Sequence, residues 1–138
     1  MASVIYDSFM QDLATAGLNM DTDTFKVALV TSAYVADKGL HDRFNDITGE
    51  VVGTGYTQSG QVSDGTLTLD TALHRLDITF GNVTWAGSTL TARGCVIYKV
   101  GATPALSPLV AYVDFGQNVS STSAAFAVTF SSALRLQN

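Results

Sequence analysis

Charge is scarce in this chain. Lys and Arg number seven and Asp and Glu twelve, so charged residues make up 14% of the 138, against about 25% in ordinary soluble domains. The cations are scattered and the net charge is −5. Nucleic-acid binding needs a clustered basic footprint that displaces counterions from phosphates, so neither DNA nor RNA is an expected partner. A membrane is not expected either: an anionic surface repels the chain, and no apolar run reaches the ~18 residues of a span. Cysteine occurs once, at Cys95, which excludes an internal disulfide and a cysteine-built zinc cluster. Set in the apolar run "GCVIYKV", with no His or Lys pair placed to activate it, Cys95 is expected to act as a small buried hydrophobe. The start, "MASVIYDSFMQDL", has no basic leader and carries two aspartates. It reads as the beginning of a protein made and kept in a cytoplasm, where the sequons at Asn82 and Asn118 carry no glycan signal.

Ser, Thr and Gly fill the space that charge leaves. A surface rich in small polar groups and poor in charge is weakly defended against association, and much of it is expected to be covered by a partner. The alternative is the neutral exterior of an ordinary β-domain. The length implies one domain over 1–138, large enough to bury roughly two-thirds of its unfolded surface around one core.

Periodicity predicts a short N-terminal helix over Ser3 to Ala16, with Ile5, Phe9 and Leu13 at four-residue spacing, Ser3 as cap and Gly17 as terminator. Residues 1–17 would then pack on, or extend from, a β-rich body. "TFKVALVTS" alternates as a strand, with Phe25, Val27, Leu29 and Thr31 on one face and Lys26, Ala28 and Val30 on the other. In the polar stretch Tyr34 to Thr48, Leu40, Phe44 and Ile47 are spaced for a helical turn or two. "GTLTLD" and "HRLDITFG" form a predicted hairpin turning at Asp70 to Leu73, with Leu67, Leu69, Leu76, Ile78 and Phe80 on the buried face. "NVTWAG" brings Val83 and Trp85 to a similar face. "GCVIYKV" and "LVAYVDFG" are continuous apolar runs, as in strands covered on both sides, and Pro104 and Pro108 bracket their connection. "AAFAVTFSSALRL" alternates through Phe126, Val128 and Phe130. Short strands punctuated by Gly and Asn argue a mainly β fold, an antiparallel β-sandwich or barrel-like domain.

The glycines of "GEVVGTGYTQSG" (Gly49 to Gly60) do not make a phosphate cradle. No G-K-[ST] follows, Gln58 stands where a G-x-G-x-x-G motif needs glycine, and no strand-to-helix junction is expected there. They more naturally supply positive φ angles and bulges at a sheet edge or corner, and Gly53, Gly55 and Tyr56 are the candidate bend and interface residues. Asp37, Asp42 and Asp46 lie near His41 without the spacing of a calcium loop, and solvated loop acids account for them. "DTD" at Asp21 to Asp23 reads as a capped turn. There is no G-x-S-x-G elbow and no base with a defined partner. Trp85, Tyr98 and Tyr112 are candidates for a sugar-stacking platform, although core packing is the commoner use of such rings. No enzyme, no metal and no cofactor are expected.

Four stretches taken together carry a resemblance: "DTDTFKVALVTSAYVAD", "DITGEVVGTGYT", "VTWAGSTLTARGCVIYK" and "SPLVAYVDFG". In this order, with the N-terminal segment, nearly the whole chain resembles a family of small virion structural proteins of tailed bacteriophages. The "EV-x-GTGY" core is the most recognisable part. Arg93 departs from the pattern, since an aromatic or aliphatic residue is commoner there, and the departure bears on the packing of that strand. The resemblance implies a capsid decoration (cement) protein on the virion exterior, made in the host cytoplasm. It would bind the major capsid protein and assemble as a homo-oligomer, trimer or dimer. A tail, head–tail connector or fibre-base component and a carbohydrate-binding β-domain are the alternatives.

Overall fold

The computed structural model describes residues 2–138. Its elements in chain order are β1 (Val4–Ile5), α1 (Asp7–Ala14), β2 (Phe25–Val30), β3 (Gln61–Val62), β4 (Gly65–Asp70), β5 (Arg75–Phe80), β6 (Val83–Lys99), β7 (Leu109–Val128) and β8 (Leu134–Gln137). They form two open antiparallel sheets, one ordered β1-β7-β6-β2-β3 and the other β4-β5-β8. The fold is thus mainly β with one short helix, sandwich-like in arrangement.

The core is divided by β2, whose alternating side chains enter two clusters. Phe25, Val27 and Leu29 pack with Ile78, Phe80, Trp85 and Phe126 on one face. Ala28 and Val30 pack with Tyr6, Tyr34, Phe44, Val96, Tyr98, Leu109 and Tyr112 on the other. Cover on both faces explains the unbroken apolar runs of β6 and β7. The smaller sheet closes the first cluster, with Phe80 meeting Phe25 edge-on at 5.8 Å. Phe9 and Leu13 of α1 join the same cluster.

Two strands are longer than the alternation suggested. "NVTWAG" and "GCVIYKV" belong to the single 17-residue β6, and "LVAYVDFG" and "AAFAV" to the 20-residue β7. Bulges let each strand run on through its polar middle, with register shifts at four places in the β6–β7 ladder. The largest lies opposite Arg93: Ala92 pairs with Val119 and Gly94 with Asp114, so residues 115–118 form a bulge without partners in the ladder. There Arg93 Nε donates to Asp114 Oδ1 at 2.9 Å, which gives the unexpected arginine its partner.

The N-terminal helix is shorter than its spacing implied. Val4 and Ile5 pair with Tyr112 and Ala111 of β7, and the Ser3 hydroxyl accepts the Asp114 N–H at 2.8 Å instead of capping a helix. Pairing along an otherwise open strand edge replaces the first predicted helical turn. The helix ends with Ala16, not Gly17, in the left-handed region (φ 62°). Gly17 N–H then returns to the Asp12 carbonyl at 2.7 Å. In the next polar stretch only Phe44–Asp46 forms a 3-10 turn. Phe44 stacks on Tyr98 at 4.1 Å, whereas Leu40 is exposed. Arg43 holds this loop to the helix by donating to both Asp12 oxygens, at 2.9 and 3.2 Å.

Three carboxylates are held below their ordinary range. Asp114 is lowered chiefly by its bond from Arg93, Asp77 by its bond from Arg135, and Asp46 by the backbone N–H of Asp42 and that of Arg43. A carboxylate whose folded pKa lies below its unfolded value contributes stability above the unfolded value, and that contribution is lost as pH falls through the folded one. Tm is therefore expected to be level above about pH 5 and to fall below about pH 4. Asp114→Asn should shallow that acid arm in a calorimetric pH series. A Tm unchanged down to strong acid would contradict the assignment.

Candidate functional site

The glycine segment lies against β6 as a seam. Thr54 pairs with Thr89 of β6, and Thr89 N–H donates to the Thr54 carbonyl at 3.0 Å. The segment thereby covers the edge of β6 beyond the last residue of β2. Gly49, Gly55 and Gly60 take positive φ of 69°, 82° and 82°, the bends expected of them. Gly53 is required for a different reason: a Cβ there would stand 2.6 Å from the Thr89 carbonyl oxygen. A strand, β3, follows the segment rather than a helix.

Tyr56 closes the seam. Its hydroxyl accepts the Leu29 N–H at 3.0 Å and donates to Glu50 Oε1 at 2.6 Å, while its ring leans on Trp85 at 5.7 Å. Burial, followed by the hydrogen bond to Glu50, pushes the phenol well above its usual pKa. The hydroxyl is therefore a neutral bridge that satisfies a buried strand N–H. Gly53, Gly55 and Tyr56 lie together in this bent seam. The β6 edge beside them at Thr89 is already paired within the chain.

The remaining candidates have structural partners. Trp85 is 2% exposed and belongs to one core cluster, while Tyr98 and Tyr112 belong to the other; the three rings do not form a platform. Asp46 accepts the Asp42 and Arg43 N–H groups, Asp37 accepts those of Gly39 and Leu40, and His41 Nδ1 meets the Tyr34 hydroxyl at 2.9 Å. Each shapes its own loop. In the "DTD" turn, Asn19 Oδ1 accepts the N–H of Asp21 and Thr22, and Asp23 accepts that of Asn19. His74 sits at φ 51° in the β4–β5 turn. Cys95 is fully buried, and burial pushes its thiol up to about 12, the state of an inert core residue.

What the sequence did not reveal is an uncovered apolar face. Leu67 and Leu69 share the inner face of the smaller sheet with Ile78 and Leu76, as the alternation implied. Only Ile78 and Phe80 are covered, however; Leu67, Leu69, Leu73 and Leu136 remain 38%, 70%, 48% and 47% exposed. The outer end of the sheet overhangs the core. Leu69, Leu76 and Leu136 line an open cleft of about 550 Å³ there. Asp77 and Arg135, paired at 2.7 Å, lie on the opposite face. Alternation marks which side of a strand is apolar but not whether the chain has anything to put over it.

No family model matches the chain, and neither a curated protein nor a solved structure matches it.

Proposed function

We propose that the chain is a decoration protein of a tailed-phage capsid, seated on the major capsid protein as a homo-oligomer and stabilising the shell. The observation that carries this reading is the leucine face of the smaller sheet. A β-module that keeps most of its apolar residues inside leaves Leu67, Leu69 and Leu136 exposed on one sheet face, with Leu73 exposed in the adjoining turn, a pattern typical of a surface awaiting a partner. The resemblance to phage virion proteins is what points this reading toward a capsid surface as the partner. The low charge suits a surface that is largely covered after assembly. Binding to the mature shell and not to its precursor would stabilise the mature state by mass action.

The test is binding to purified shells that lack this protein. Leu69→Thr with Leu136→Thr keeps strand propensity while removing buried apolar area. It is expected to weaken shell binding at least ~tenfold, since each leucine buried at a contact contributes on the order of 1 kcal/mol. Tm of the free chain should change much less than for a core leucine, because Leu69 and Leu136 are already 70% and 47% exposed. Undiminished binding would overturn the role of this face.

A further inference from the structure

The outer half of the β6–β7 hairpin is devoid of charge. No Asp, Glu, Lys, Arg or His occurs in residues 115–134, nor in residues 83–92 of the facing strand. β7 also has an open side. Its only neighbour there among the described residues is β1, which pairs with Ala111 and Tyr112 alone. Just past that pairing, Ser3 accepts the Asp114 N–H and Asp114 accepts the Gly116 N–H. On that side, from Gln117 to Val128, no strand among the described residues runs alongside. Beside this edge Val113, Phe115, Val119, Phe126, Val128 and Phe130 line an apolar cleft of about 270 Å³.

We propose that this edge of β7 pairs with the same edge of a second copy, antiparallel across a two-fold axis. Open edges are ordinarily defended by lysine, proline or inward-pointing charge. This one carries bulges but none of those residues. An isologous contact brings each residue near its own counterpart, so any charge on it meets a like charge. In a chain of net charge −5, an uncharged strand lets two copies meet without opposing carboxylates. A strongly basic or acidic partner finds nothing complementary on it. Edge-to-edge pairing supplies main-chain bonds, and the adjoining cleft receives alternate side chains of the incoming strand. The proposal deepens the homo-oligomer part of the decoration reading and rests on it, selecting the dimer over the trimer.

The test uses the purified full chain without shells, weighed by sedimentation equilibrium at micromolar concentration. The expected mass is twice the 14.5 kDa of one chain. Ala125→Glu and Ala127→Glu, both at exposed positions of the edge, place like charges across the axis. Each is expected to raise the dimer dissociation constant at least ~tenfold while Tm of the dissociated chain stays near that of the wild type. Val52→Glu, on the exposed seam, should leave the dimer intact. A wild-type monomer, a trimer, or a dimer indifferent to both edge variants would overturn the proposal. So would a dimer that dissociates only when Leu69 and Leu136 are changed. A monomer that still binds shells defeats this inference and spares the decoration reading; a dimer that ignores shells does the reverse.

Discussion

Gly53→Val is expected to cost about 3 kcal/mol or more, enough to put much of the chain into the insoluble fraction. The Cβ it introduces falls 2.6 Å from the Thr89 carbonyl oxygen and 3.2 Å from Leu90 Cβ. Backbone held in a ladder cannot rotate aside as a flexible side chain can. Gly55→Val adds a second cost, because φ is 82° and the new Cβ meets Ser88 Cα at 2.9 Å. A β-branched residue in that region is strained even with space around it. Gly87→Ala is the control: it also has positive φ (58°), but nothing lies within 4 Å of the added carbon. Its expected cost is about 1 kcal/mol, from backbone strain alone. Urea denaturation of the three variants separates strain from collision. A Gly53→Val protein as stable as the wild type would show that the seam is not closed against β6.

Trp85→Ala is expected to destabilise the chain by about 3–5 kcal/mol, the usual cost of deleting a buried aromatic. The indole sits between Tyr56 at 5.7 Å and Phe126 at 6.3 Å. Its loss removes the support under the Tyr56 bridge as well as its own buried area. Against a typical total of 5–15 kcal/mol, such a loss leaves a marginal fold. Trp85→Phe, which keeps a ring in the cluster, should recover a large part of it. A sugar platform makes the opposite demand: Trp85→Ala would melt like the wild type while losing saturable glycan binding. Thermal unfolding and glycan binding measured on the same preparation discriminate the two.

Where cover and periodicity coincide, the fold was legible in the residues. Phe25, Val27 and Leu29 against Ala28 and Val30 gave the two faces of β2, and the apolar setting of Cys95 gave its burial. Elements that depend on distant partners were not legible. A helix starting at Ser3 is locally sound, yet Val4 and Ile5 pair with residues more than a hundred positions away in β7. The polar middles of β6 and β7 read as interruptions because bulges at Gly87 and opposite Arg93 carry no alternation of their own. Tyr56 could be singled out, but its bridge from Leu29 to Glu50 is a product of the folded seam. The bare leucines were hidden for a similar reason: Leu69 and Ile78 share one pattern and one face, and only the reach of the sheet past the core separates them.

Copy number per particle, measured against the major coat protein by quantitative mass spectrometry of purified virions, tests the decoration role most directly. A ratio close to a simple fraction of the coat protein is the expected result, because a decorator follows the lattice it covers. A handful of copies per particle would contradict it and place the chain at the tail or a vertex, and complete absence from the virion would end the structural reading altogether.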